Sequence, residues 1–178
     1  AVSLAHHFSE ASADLISGYG ELLSAQLLTC YLNSTGHSAA FCDARDVLSI
    51  THQEVGPIPI WDQSQARLEA WRKDQSAPIW IITGYIASDD KGAPTTLKRN
   101  GSDYSASIFA ALLDAKDVTI WTDVDGVYSA DPRLVVQPLI QEKLSYKEAM
   151  ELAYFGAKVI HPNTMAPLVE RTIPIWIR

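Results

Sequence analysis

The chain has 178 residues, 47% of them hydrophobic, which is enough apolar material for one α/β domain with a buried core or for most of a larger one. A formal net charge of −7, with only 14 scattered Lys and Arg, excludes a broad nucleic-acid surface or an anionic-membrane surface. No apolar run approaches the roughly 20 residues that a bilayer span needs, so no membrane partner is expected.

In chain order, the opening AVSLAHHFSEASADL lacks a basic region followed by an apolar core, so it is no secretory signal; it reads as the middle of a helix that has lost its beginning. Ser17-Gly18-Tyr19-Gly20 reads as a turn feeding a helix from Glu21 to Leu32, with Leu22, Leu23, Gln26, Leu27, Cys30 and Tyr31 on one largely apolar face. Gly36 stops this helix, and Ala39 to Cys42 follows as a short buried strand before a polar loop around Asp43-Ala44-Arg45-Asp46. Cys30 and Cys42 lie outside any CxxC spacing and read as buried free thiols in a reducing cytoplasm.

Asp62 is placed to cap a helix through Trp71, and Pro78 precedes the apolar run IWIITGYIA, the pattern of a central parallel strand. Pro94 to Leu97 suggests another strand. After it come a turn at Arg99-Asn100-Gly101, a helix N-capped by Ser102 or Asp103 and running to Leu113, and the strand Val118 to Trp121. Ser145 and Glu148 form an S-x-x-E capping box for a helix to about Phe155. Gly156 ends that helix, Pro162 marks the next turn, and the chain closes on an apolar strand, Ile173 to Ile177.

Three stretches carry chemistry. In TTLKRNGSDYSA (95–106) a strand runs through a Gly-containing turn into a helix N-terminus, where backbone N–H groups beside Arg99 can receive an anion; from this stretch alone, an ordinary capped helix with a solvated Arg99 is the better reading. In IWTDVDGVYSADPR (120–133), Thr122 and Asp123 follow a strand end where ligands of α/β sheets sit, and Arg133 follows a rigid turn. A polar loop with Asx-turns is the plainer reading, and calcium is disfavoured because the terminal Glu of an EF-hand loop is missing. In YFGAKVIHPNTM (154–165), Lys158 offers a phosphate point charge, while His161 reads as a structural hydrogen-bonding residue, with no second His or Cys at metal-ligand spacing. No Walker A, GxGxxG or protein-kinase signature is present.

Taken together and in order, SGYGELLSAQLL (17–28), TTLKRNGSDYSA, IWTDVDGVYSADPR, LSYKEAMELAYFGAKVIHP (144–162) and the closing IPIWIR resemble successive motifs of aspartate kinases, most of all the kinase portion of bifunctional aspartokinase–homoserine dehydrogenases. The resemblance implies the amino-acid kinase fold, a mainly parallel central sheet flanked by helices in three αβα layers, with residues 1–178 as one catalytic domain truncated at its amino end. The opening K-F-G-G-[TS] strand and loop of the family, with its lysine, would be absent, and the regulatory and any dehydrogenase domains would lie beyond the chain. The implied activity is ATP-dependent phosphorylation of the L-aspartate side chain to 4-phospho-L-aspartate, the entry to lysine, threonine and methionine synthesis. The parent would be a cytoplasmic homo-oligomer, and the isolated chain would have little activity. A related amino-acid kinase, such as a glutamate or uridylate kinase, and a non-catalytic binding or dimerising fragment are the alternatives.

Carried over by position, the resemblance makes Glu21 the clamp on the substrate ammonium. Arg99, Gly101 and Ser102 hold the α-carboxylate, and Tyr85 is an aromatic on the substrate side. Thr122, Asp123, Tyr128, Arg133, Lys158 and Val159 form the nucleotide side, Asp103 and Lys158 serve the transferred phosphoryl, and Mg2+ is held mainly by the nucleotide with no protein metal site. Lys98 stands where most members have Gly.

Overall fold

The computed structural model describes residues 9–123, 126–130, 134–154 and 161–178. Ser9 starts the first helix: its hydroxyl accepts the N–H of Ser12 at 3.2 Å, an N-cap that satisfies one of the orphan donors of the first turn. The helix, α1, then runs unbroken over Glu10–Ser34. It ends as expected at Gly36 (φ 86°), where His37 N–H reaches the Leu32 carbonyl and Gly36 N–H the Asn33 carbonyl, a Schellman closure.

Two expectations are corrected here. Helix α1 has its own beginning, N-capped by Ser9, where a helix with its beginning lost was expected, and Ser17 to Gly20 form no turn. Gly18 lies inside α1 because the helix backs closely onto a strand at that point: a Cβ there would sit 2.9 Å from Ile86 Cγ2. The packed face is Gly18, Leu22, Ala25 and Thr29, whereas Leu23, Leu27 and Tyr31 are 65%, 72% and 62% exposed. Apolar residues surround most of this helix, so periodicity could not choose the stripe; small residues mark the side on which strands approach. Cys30 is accordingly exposed, not buried.

The chain divides between Ser102 and Asp103 into two compact units. In the first, β1 (Ala39–Cys42) pairs in parallel with β4 (Ile79–Ile82), from Ala39 opposite Ile79 to Cys42 opposite Ile82. Between them lie α2 (Ala44–Val47), β2 (Ile50–Gln53), β3 (Gly56–Pro59) and α3 (Trp61–Lys73). The expected polar loop at Asp43 is instead the one-turn α2, since the Asp43 carboxylate caps the Arg45 N–H at 3.0 Å. Asp62 sits in the first turn of α3 and is not its N-cap, a place taken by Ile60 without a side-chain bond. The antiparallel β2–β3 hairpin escaped the sequence reading because Pro57 and Pro59 argue against a strand.

The run IWIITGYIA is not one strand. It breaks at Gly84-Tyr85 into β4 and β5 (Ile86–Ser88), and β5 turns back antiparallel on β6 (Pro94–Thr96). Leu48, Ile50, Leu68, Ile86 and Leu97 form the inner core, each at most 1% exposed. Arg67 spans two buried hydroxyls, Nη1 donating to Ser49 Oγ at 2.7 Å and Ser88 Oγ at 3.0 Å, so Ser49, just before β2, and Ser88 at the end of β5 are joined with both hydroxyls satisfied. The helix α1 packs on β1, β4 and β6.

The helix α4 (Gly101–Leu112) carries the chain into the second unit, where β7 (Val118–Ile120) pairs in parallel with β8 (Ile175–Ile177). Because α4 begins at Gly101, Ser102 and Asp103 lie in its first turn and neither is the N-cap. Ala110, Val118, Leu168 and Ile173 make the core, with Tyr146 packed against it and its hydroxyl donating to the Ile173 carbonyl. The helix α5 (Tyr146–Tyr154) opens on the expected capping box: Glu148 Oε2 accepts Ser145 N–H at 2.7 Å and Ser145 Oγ accepts Glu148 N–H at 3.2 Å. His161 is structural, as expected, its Nδ1 capping α6 (Pro162–Arg171) through Asn163 N–H. Each unit is thus α/β about a parallel pair, with the two hairpins of the first as additions.

Gly18 and Gly20 make a controlled comparison. Alanine ordinarily gains about 0.5–1 kcal/mol over glycine inside a helix. Gly20→Ala, with nothing within 4 Å, should show that gain. Gly18→Ala should instead lower stability by about 1–3 kcal/mol, because the buried, β-branched Ile86 cannot yield. Urea midpoints of the two variants check this. The thiols give a second check. Burial, then Asp46 and Asp43, push Cys42 up to about 12, so only exposed Cys30 should react with a disulfide reagent at pH 8 until denaturant is added. Rapid labelling of both thiols in the native chain would contradict this.

Candidate active site

The most informative geometry of the first unit lies where β4 ends, β6 ends and α4 begins. Ile86 N–H bonds back to the Gly84 carbonyl at 2.7 Å, closing a γ-turn about Tyr85, whose φ is 66°. Tyr85 in turn accepts Leu97 N–H at 2.7 Å. Beyond Leu97, Lys98 (φ 58°) and Asn100 (φ 57°) flank Arg99, and Gly101 N–H closes the turn on the Lys98 carbonyl at 3.1 Å. Three non-glycine residues thus hold left-handed backbone within one small region, at about 1–2 kcal/mol each. Such strain persists only where the surroundings over-determine it, and it gathers at ligand sites.

The surroundings are identifiable. A Cβ at Gly101 would lie 2.7 Å from the Tyr85 ring and 3.0 Å from Leu97 Cβ, and one at Gly84 would lie 3.3 Å from Ser102 Oγ. The two turns are therefore interlocked, bringing Tyr85, Gly101 and Ser102 together at the N-terminus of α4, whose free N–H groups and dipole favour an anion. Arg99 is exposed on the same turn. Glu21 is half-buried on α1, one turn beyond Gly18, which contacts the residue after Tyr85.

Lys98 is not a loose charge on this turn but is tied to α1. Its Nζ lies 3.0 Å from both carboxylate oxygens of Asp14 on α1. The same carboxylate accepts the hydroxyls of Thr95 and Thr96 at 3.1 Å each. Since Thr95 spends its one hydroxyl proton on Asp14, His52 Nε2, 2.9 Å from Thr95 Oγ1, must be the donor in that contact. Asp14 was missed in the sequence; the signal available was its position seven residues before Glu21, on the same helical face.

A second polar group sits at the end of β1. Asp43 receives the Arg45 guanidinium at 2.5–3.1 Å, a bond that raises the pKa of Arg45. Ala44 N–H donates to Thr83 Oγ1 at 2.8 Å and Thr83 N–H to the Cys42 carbonyl, which anchors the strand end just before Gly84.

In the second unit, Thr122 and Asp123 are exposed at the carboxyl end of β7, with Thr122 N–H on the Arg178 carbonyl at 2.8 Å and Thr122 Oγ1 on Asp123 Oδ1 at 3.3 Å. Tyr128 bridges Ile140. Asp103 opens this unit, half-buried, and burial raises its carboxyl pKa. Arg133, Lys158 and Val159 lie outside the described residues. Among the described residues, no three His, Cys, Asp or Glu side chains converge as a metal site, and no helix is long and apolar enough to cross a membrane.

The first unit thus carries a strained, glycine-locked turn at a helix N-terminus, and the second a polar strand end. The sequence model of the amino acid kinase family matches residues 3–178, and the chain belongs to that family. Over its whole length it is 49% identical to the Arabidopsis thaliana bifunctional aspartokinase/homoserine dehydrogenase 2, chloroplastic, of which it covers 20%. The crystal structure of Escherichia coli aspartokinase III with aspartate and ADP (R-state) superposes with a TM-score of 0.88 at 35% identity, over 99% of this chain and 40% of that one. The same enzyme with lysine and aspartate (T-state) gives 0.82 at 36%, over 98% of this chain and 40% of that one. The chain thus has the aspartokinase form of the fold and spans about a fifth to two-fifths of the length of these relatives.

The interlock predicts a graded response. Gly101→Ala, which drives a methyl into the Tyr85 ring and Leu97, should cost about 1–3 kcal/mol; Gly84→Ala, whose looser contacts are all with exposed Ser102, should cost less. Chemical denaturation of both variants measures the order.

Proposed function

We propose that the chain is part of an ATP-dependent aspartate kinase that converts L-aspartate to 4-phospho-L-aspartate. The supporting observation is the Leu97–Ser102 turn. It holds Gly101 against the Tyr85 ring and Ser102 against Gly84 at the start of α4, with Arg99 exposed on the same turn, in a chain that shares its fold with an enzyme crystallised with aspartate and ADP. Arg99 and the helix N-terminus receive the α-carboxylate of the amino acid, and Glu21 receives its ammonium. Opposed charges of this kind recognise the two backbone groups of any α-amino acid and leave the side-chain carboxylate to react.

That carboxylate, with a reference pKa near 3.9, is already ionised at neutral pH, so the attack needs no general base. The barrier is one of anion approaching anion, and catalysis rests on position and on fixed positive groups around the transferred phosphoryl. Thr122, Asp123 and Tyr128, with Arg133, Lys158 and Val159, serve the nucleotide side, and Asp103 organises the region of transfer. Mg2+ carried chiefly by the nucleotide phosphates would offset charge on the transferred group. The free Cys30 and Cys42 suit a reducing compartment, cytoplasm or chloroplast.

Acyl-phosphate formation by the full-length polypeptide, trapped as the hydroxamate with aspartate and glutamate as rival acceptors, tests the reading. Aspartate should be the preferred acceptor. Arg99→Ala should reduce kcat/KM for aspartate by about 10- to 100-fold, the loss of one charge-assisted bond of about 1.5–3 kcal/mol, while the ATP KM changes little. An unaltered aspartate KM in that variant would remove Arg99 from the site.

A further inference from the structure

Asp14 and Lys98 join the two elements that the proposed reaction needs to hold at a fixed separation. Lys98 is the residue immediately before Arg99 in the anion turn, and its Nζ holds both oxygens of Asp14 at 3.0 Å. Asp14 is on α1, seven residues before Glu21. Seven residues are close to two helical turns, so the two carboxylates share a face about 10 Å apart. The Asp14 side chain is only 12% exposed and that of Lys98 35%, which removes much of the solvent screening of a surface pair. Thr95 and Thr96 complete the acceptor set from β6, the strand that leads into the turn.

We propose that Asp14 and Lys98 form a positioning pair that sets the distance between the carboxylate-binding turn and the ammonium-binding face of α1, and so governs affinity and selectivity for the amino-acid acceptor without touching it. The proposal rests on the aspartate kinase reading. Three features favour it over an incidental surface bridge. The pair is bidentate, it is shared with two threonine hydroxyls, and it is made by a side chain at φ 58°, a conformation that glycine would adopt without strain. The pair also cancels the Asp14 charge, which would otherwise repel an acceptor carrying two carboxylates.

The test uses the full-length polypeptide with Lys98→Met, Lys98→Gly, Lys98→Arg and Asp14→Asn, each checked for native circular dichroism. Lys98→Met and Asp14→Asn should raise the aspartate KM about tenfold or more, with the ATP KM unchanged. Lys98→Arg should keep most of the wild-type value. Lys98→Gly is the stringent case: it relieves the backbone but deletes the tether, so it should follow Met. Hydrogen exchange of the 97–102 segment, read without substrate, should be faster in Met, Gly and Asn variants than in the wild type. Wild-type aspartate KM and unchanged exchange in Lys98→Gly would overturn the proposal. Absence of aspartate phosphorylation by the wild type would sink the activity reading instead, and the exchange data would still decide the role of the pair.

Discussion

A carboxylate inside a protein must be supplied with donors, and the first unit is organised around one such group. Asp14 draws hydroxyls from two consecutive threonines and an ammonium from Lys98, so β6 and the turn after it are fixed against α1 at the same point. The bond also accounts for a lysine with left-handed backbone: only a chain that turns sharply after Leu97 brings the ammonium over the helix. One helical turn later, the same proximity requires glycine at position 18, where any side chain would strike Ile86.

The strained turns around Tyr85 and Arg99 keep a fixed geometry because they cannot relax without undoing the packing of Gly101 against the aromatic ring. In the proposed reaction that rigidity would present fixed partners to two of the acceptor's three charged groups. The cost of the left-handed residues is met by buried contacts elsewhere in the unit, chiefly Leu97 and Ile86.

Much of this was legible in the sequence, for reasons that differ by element. The capping box at Ser145, the stop at Gly36 and the structural hydrogen-bonding role of His161 depend on neighbours within a few residues, and those signals survive without tertiary context; that His161 caps a helix was not legible. The turn before α4 was visible as a motif, but its geometry was not, because positive φ at Tyr85, Lys98 and Asn100 goes with packing against residues far away in the chain. Two errors have one origin. The face of α1 was misjudged, and Cys30 was placed inside, because bulky apolar residues outnumber the small ones that mark the closely packed side. The ion pair across 84 positions, Asp14 to Lys98, could not be read locally, although Asp14 lay on the Glu21 face of the helix.

The prolines of β3 illustrate how a strand can be hidden from solvent on a side that has no partner strand. Gly56, Ile58 and Ile60 share one parity and turn their N–H groups toward β2, as the 2.8 Å bond from Ile60 N–H to the Ser49 carbonyl shows. Pro57 and Pro59 take the opposite parity, and both are buried. At those positions an ordinary residue would carry an amide proton out of water with no acceptor. An imino acid has none to lose, so this border of the hairpin can be covered without leaving an unsatisfied donor, and it offers no N–H to which a stray strand could attach.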